Sequence, residues 1–176
     1  MSVDYDRFIS YRRSVRNFSS KKLKEKDIKT AVKIAIKTPT ACNRQMCKIY
    51  YIKNEENKKY IESYAQGIGL FDLTNVNYFV LTFDLSSSHF LGERNQGWFN
   101  CGLVTMNFIN GLHSLGIGSC CIQFGNTNKE ENTLKKLINI PSNERIGVIV
   151  CAGYYDEISR IPYSSRKPIE EIYRER

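Results

Sequence analysis

At 176 residues, 41% of them hydrophobic and 25% charged, the chain has the size and balance of one globular domain, long enough to bury roughly 70% of its unfolded surface. No apolar run approaches the ~20 residues of a membrane-spanning helix, and the polar first twenty residues carry no secretory signal pattern, so a cytoplasmic protein without membrane contact is expected. The net charge of +8 is local: residues 7–26 hold eight basic side chains against one acid, Glu25, which points to a single anionic binding place and not to a uniformly basic shell.

Residues 3–11 suit a short helix packed through Val3, Phe8, Ile9 and Tyr11. The cluster Arg12-Arg13-Ser14-Val15-Arg16 follows directly. In residues 24–37, Ile28, Ala31, Val32, Ala35 and Ile36 recur at i, i+3, i+4, i+7 and i+8, which predicts an amphipathic helix. Pro39 stops it, because a residue preceding proline avoids the helical region. Lys21, Lys22, Lys24 and Lys26 read as a solvated face. Residues 48–53, β-branched and aromatic, predict a strand. A helix over 55–65, a turn at 66–69 and a buried strand over 78–83 come next. After a polar loop at Ser86-Ser87-Ser88, residues 96–115 form a long helix that is apolar over much of its surface. Such a helix is buried in the core or against a partner. Gly116 and Gly118 end it. A short strand over 119–124, a polar helix over 129–138 and the strongly apolar strand 145–155 complete the body. The charged tail beyond Asp156 lacks core periodicity and is expected to lie along something else. Helices between strands, without repeats or linkers, give an α+β sandwich around one small sheet, a single domain over 1–176.

Six cysteines are scattered without a CxxC pair, and only His89 and His113 are available beside them. Buried reduced thiols fit better than a metal site, and no metal is expected. GxSxG, HExxH and P-loop signatures are absent, and so is GxGxxG, so a Rossmann-type dinucleotide fold is not supported.

The chemistry sits in two stretches. Three guanidinium groups and a hydroxyl within residues 12–16 suit a phosphate. The Pro-punctuated loop Thr38-Pro39-Thr40-Ala41-Cys42-Asn43-Arg44-Gln45 carries two amides two positions apart. Amides both donate and accept, as a planar heterocycle with alternating C=O and N–H groups requires. Flavin mononucleotide (FMN) combines both demands. Taken singly, the first stretch also reads as a solvated basic turn and the second as loop amides satisfying backbone groups.

In order along the chain, these two stretches, the long helix with its Leu115-Gly116-Ile117-Gly118-Ser119-Cys120 exit, and Ile140-Pro141, Gly153-Tyr154 and Arg166-Lys167-Pro168 resemble the nitroreductase family of FMN-dependent oxidoreductases. The resemblance covers nearly the whole chain. It implies a nitroreductase-like sandwich with a small, mixed, mainly antiparallel sheet flanked by helices, in an intertwined homodimer whose two FMN sites are each built from both subunits. The tail, about 156–176, would pack on the partner subunit. By that resemblance Arg12 and Arg166 would hold the phosphate, with Arg13 and Ser14 along the phosphate and ribityl chain and Arg16 near the N1–C2=O edge of the ring. Pro39, Thr40, Ala41 and Asn43 of the other subunit would line the ring and ribityl chain, with Gln45 in the same loop. Cys121, Ile122 and Gln123 would lie beside the ring. NADH or NADPH would reduce the flavin, and a nitroarene, quinone or enone would then reoxidise it in a ping-pong cycle at N5, with no catalytic side chain. Phe71, Trp98 and Phe124 are candidates for lining the open face, or are core residues.

The chain departs from the family pattern in three places. Residues 66–96 leave little room for the helical excursion that covers the flavin in larger members. Met46-Cys47 stands where a Pro-aromatic pair is common, and Cys121 where a larger residue is frequent. Two other functions fit parts of the sequence: a flavin-binding redox sensor without turnover, and a basic nucleic-acid-binding protein. Against the latter, the aromatic residues lie within apolar strands and helices and are not interleaved with basic groups as stacking platforms.

Overall fold

The computed structural model describes residues 4–69, 71–156 and 161–176. Four strands make one sheet in the order β1-β2-β4-β3, where β1 is Cys47–Ile52, β2 Asn77–Asp84, β3 Gly118–Ile122 and β4 Glu144–Gly153. All three pairings are antiparallel. The only parallel pairing among the described residues is the bridge between Ser14 and Ser119. The expected small, mainly antiparallel sheet is therefore present; its four strands pair antiparallel throughout, and the parallel bridge lies outside them.

The helices are α1 (Tyr5–Tyr11), α2 (Glu25–Ala35), α3 (Glu55–Tyr64), α4 (Gln96–Ser114), α5 (Asn128–Leu137) and α6 (Ile169–Ile172). Local signals explain several of their starts. Asp4 accepts from Arg7 N at 3.0 Å, Asn54 accepts from Glu56 N at 2.8 Å, and Thr127 with Glu130 forms a capping box at the start of α5. The five helices read from periodicity are all present, with ends shifted by a residue or two. Val3 of the first predicted helix lies outside the described residues. The one-turn α6 in the tail was not anticipated.

Strand alternation sorts side chains onto two faces. Tyr50, Val80, Ile149 and Ile122 stand in one row across the sheet. With Ile61 of α3 and Leu134 of α5 they form a core that also takes in Val15 and Phe18. The opposite face, with Phe79, Leu81 and Val150, packs on Ala31 and Ala35 of α2 and on Phe108 and Leu112 of α4. Between Leu81 and Thr82 the register slips, leaving Gly147 unpaired on β4. A Cβ at Gly147 would stand 2.3 Å from Cys101 Sγ, so the missing side chain is what lets α4 lie close on the sheet.

The cysteines depart from expectation. Cys101, Cys120 and Cys151 are buried free thiols, but Cys42 and Cys121 are exposed. Cys42 sits at a loop tip, and Cys121 points from an edge strand toward the open side of α4.

Candidate functional site

Arg12 is the C-cap of α1, in extended conformation, and its N–H returns to Ile9 O at 3.2 Å. From there the chain runs along the edge of β3. Ser14 bridges Ser119, and Val15 N donates to Ser119 O at 3.0 Å. Val15 is buried, and a Cβ on Gly118 would meet its Cγ2 at 2.7 Å. Glycine at 118 is thus what allows this close approach. With Val15 turned inward, Arg12, Arg13, Ser14 and Arg16 stay half-buried around it.

None of these three guanidiniums is within ion-pair distance of a carboxylate among the described residues. Arg13 donates to Arg12 O at 3.1 Å and to Ser10 O, and lies 5.3 Å over the Tyr163 ring. Arg16 donates to Ser14 O at 3.3 Å and lies 5.8 Å over the Phe71 ring. Arg12 Nε is buried with no hydrogen-bond partner among the described residues, an arrangement that proteins seldom leave unanswered. The positive field reaches neighbouring groups. Burial raises the Cys120 thiol, while Arg16, Ser14 and Arg12 pull it down. Burial depresses the His113 imidazole, whose Nε2–H donates to Phe8 O at 3.1 Å, and Arg12 and Arg13 depress it further.

The end of β3 adds amides. Cys121 and Gln123 are exposed on either side of buried Ile122. Cys121 is flanked by protein on most sides even so; that desolvation, with Cys120 beside it, pushes its thiol up to about 11 against the pull of Arg12. Gln66 N donates to Gln123 O at 3.2 Å, and Gln66 Nε2 donates to Asn126 Oδ1 at 3.2 Å. Phe71 and Phe124 pack as half-buried neighbours on the adjoining core. Trp98 stands apart on α4, edge-on to Phe83 at 4.8 Å, and lines a shallow apolar groove with Gly102, Met106 and Cys121.

The 38–45 loop is built differently. Thr38 is buried, donating to Ala35 O at 2.7 Å and accepting from Asn107 Nδ2 at 2.7 Å. Cys42, Asn43 and Gln45 all take the left-handed conformation, with φ of 51°, 53° and 50°. Gln45 N donates to Thr40 Oγ1 at 3.1 Å. Pro39, Asn43 and Gln45 are exposed, and Thr40 and Ala41 half-buried. Among the described residues no hydrogen bond joins this loop to the arginine segment. Within one chain the two halves of the expected site therefore stand separately. Arg166 has no side-chain contact in common with Arg12 among the hydrogen bonds of the described residues. It is exposed and donates to Ser164 O at 2.8 Å and Ser165 O at 3.3 Å.

The nitroreductase family profile matches residues 9–70 and 89–154, most of the chain. The chain belongs to the nitroreductase family. An Archaeoglobus fulgidus protein provisionally named NADH dehydrogenase/NAD(P)H nitroreductase is 27% identical over 173 residues, covering 97% of both chains. In fold, this nitroreductase-family chain is similar to the nitroreductase family protein of Streptococcus pneumoniae TIGR4, with TM-score 0.84 and 20% identity over 98% of this chain and 100% of that one. It is likewise similar to the FMN-dependent nitroreductase of Clostridium difficile R20291, with TM-score 0.79 and 18% identity over 96% and 98% of the two chains.

Two features of this nitroreductase-family site were not read from the sequence. Gln66 was taken only as part of a turn, yet it pairs with Gln123, and their separation in the chain left no local signal of that bridge. Arg44 was passed over between two amides, although it donates to Glu93 Oε2 at 2.7 Å.

Proposed function

We propose that this chain is an FMN-dependent oxidoreductase that draws on NADH or NADPH and reduces a small electron-poor acceptor of nitroaromatic, quinone or enone type, in alternating half-reactions at one site. The observation that carries this reading is the buried Arg12 Nε, partnerless among the described residues, in a cluster of three guanidiniums that meet no carboxylate among them. A phosphate monoester supplies the acceptor oxygens and the charge such a cluster lacks.

The residues present fit FMN. Arg12, Arg13 and Ser14 would hold the phosphate and the start of the ribityl chain, with Arg166 completing the phosphate contacts from the tail. Arg16, fixed over Phe71, would place a cation where negative charge grows at the pyrimidine edge of the ring, and Phe71 keeps water from beneath that cation. Gln123 and Gln66 would offer amide groups, and Cys121 and Ile122 the side of the ring pocket. When bound, FMN supplies the redox chemistry, carrying reducing equivalents from the nicotinamide to the acceptor through N5. The protein binds, orients and excludes water, and no side chain needs to act as acid, base or nucleophile.

The second half of the site would come from another copy. Among the described residues Pro39, Thr40, Ala41, Asn43 and Gln45 share no hydrogen bond with their own chain's arginine segment, as in a loop that serves a partner. Phe99 is 62% exposed and Trp98 44% on α4, while the otherwise charged tail leaves Tyr163, Ile169, Ile172 and Tyr173 exposed. Apolar surface of that kind asks for a cover, and a homodimer with the tail laid on the partner subunit supplies one. Each copy would then be a single domain, with neither nucleic acid nor membrane as partner. Among the described residues no helix is long and apolar enough to cross a membrane, and a cytoplasmic location suits a nicotinamide donor.

Colour tests the reading. A purified protein that is yellow, bleaches anaerobically with NADH or NADPH and regains colour with a quinone supports it. Yellow without bleaching supports a sensor. A colourless protein whose hold on polynucleotide weakens steeply with salt overturns the flavin reading.

A further inference from the structure

We propose that Arg44 and Glu93 are positioning residues: their ion pair latches the 38–45 loop in the backbone shape with which it meets the cofactor, and ties that loop to the apolar turn at Phe90 and Leu91. The proposal rests on the FMN reading above and deepens it.

The loop cannot hold its shape by local means alone. Cys42, Asn43 and Gln45 all sit in left-handed space without being glycine, a conformation that persists only where surrounding structure over-determines it. Inside the loop there are the Thr40 hydroxyl under Gln45 N, a 3.4 Å contact from Gln45 Nε2 to Asn43 O, and two backbone bonds from Asn43 N and Arg44 N. Arg44 alone keeps ordinary helical dihedrals between the left-handed residues, with φ −69° and ψ −20°. Within 39–45 and among the described residues, it is also the only residue whose side chain bonds outside the loop. Arg44 Nη1 donates to Glu93 Oε2 at 2.7 Å and to Ser87 O at 3.2 Å.

Glu93 is itself fixed. Its Oε2 also accepts from His89 N at 2.8 Å, so one oxygen joins the loop to the turn's backbone, while Arg44 Nη1 spans the two ends of the 87–93 turn at Ser87 and Glu93. The two side chains are only 17% and 13% exposed, unlike a solvated surface pair whose geometry is loose. The same turn displays Phe90 and Leu91, 67% and 90% exposed, with the Phe90 ring folded over Gly92, where a Cβ would stand 2.8 Å from it. The strained amides and the apolar tip therefore move as one unit, and the pair sets both cofactor retention and the approach of an acceptor.

A double-mutant cycle on the full-length protein tests this, using Arg44→Ala, Glu93→Gln and the double variant. Each single change is expected to speed hydrogen exchange at residues 41–46 in FMN-free protein. Each should also weaken FMN binding roughly tenfold, the range of a charge-assisted contact, and the double variant should be no worse than either single. Additive losses, unchanged exchange at 41–46, or an FMN loss that merely follows a drop in Tm would overturn the proposal. If the wild-type protein binds no FMN, the flavin reading fails, and the exchange measurement still decides whether the pair holds the loop.

Discussion

Ser14 lies in a parallel bridge with Ser119, and Val15 N reaches Ser119 O at 3.0 Å. This one crossing carries three guanidiniums to the edge of β3, where Arg12 and Arg16 act on Cys120 and Arg12 on Cys121. A basic stretch that would otherwise be a solvated arm is thereby docked along the sheet edge as one wall of the candidate site.

Removing a phosphate ligand should release the cofactor. Arg12→Ala and Arg166→Ala are each expected to weaken FMN binding by about 1.5–3 kcal/mol, the net worth of a hydrogen bond to a charged group. Fluorescence quenching of free FMN on titration with apoprotein measures it. Unchanged affinity in both variants would remove the phosphate assignment.

The bridge itself is open to test through Gly118. A methyl group there would lie 2.7 Å from both Val15 Cγ2 and Tyr155 Cδ1, so Gly118→Ala must push the arginine segment off β3. Overpacking of this kind costs about 1–3 kcal/mol. The expected result is a lowered melting temperature together with loss of FMN. A variant that melts lower yet keeps full FMN affinity would show that the crossing does not place the arginines.

Phe99 and Met106 lie on the uncovered side of α4, 62% and 40% exposed. In a single chain, Phe99→Glu or Met106→Glu should cost little, since both side chains already meet water. In a homodimer each change buries a charge without a partner. Light scattering after size exclusion should then show monomers that have lost their yellow colour. Dimers of unchanged mass would argue for a different interface.

The Arg44 guanidinium, and after it the His89 N–H, hold the Glu93 carboxyl at about 2, against an ordinary 4.5. The folded state thus binds this proton less readily than the unfolded chain does. The contribution is complete above 4.5 and is lost as pH falls from there through about 2. Urea titrations across that window should show wild type losing more stability than Glu93→Gln, which has no proton to take up. Parallel curves would mean that Glu93 is not held by Arg44 in solution.

Much of the architecture was legible because its signals are local. The apolar period of α2 and the apolar run of β4 each decide an element within a few residues. The candidate site was legible as residue types: cations and a hydroxyl before α2, and amides after it. What stayed hidden depends on separation. Arg44 and Glu93, or Gln66 and Gln123, lie 49 and 57 positions apart in the numbering, and nothing in either neighbourhood signals the other. The left-handed run at Cys42, Asn43 and Gln45 was hidden for another reason, since none of these residues is the glycine that normally marks such a turn.

The linear order of residues determined that this chain would build helices around a small sheet and carry a concentrated positive patch, because periodicity and charge are properties of neighbours. Tertiary structure alone decided that Val15 turns inward against Gly118, leaving Arg12 Nε buried without a partner, and that Arg44 is pinned from a distant turn. Those outcomes follow from strand order and close packing, which arise only when segments far apart in the chain compete for the same space.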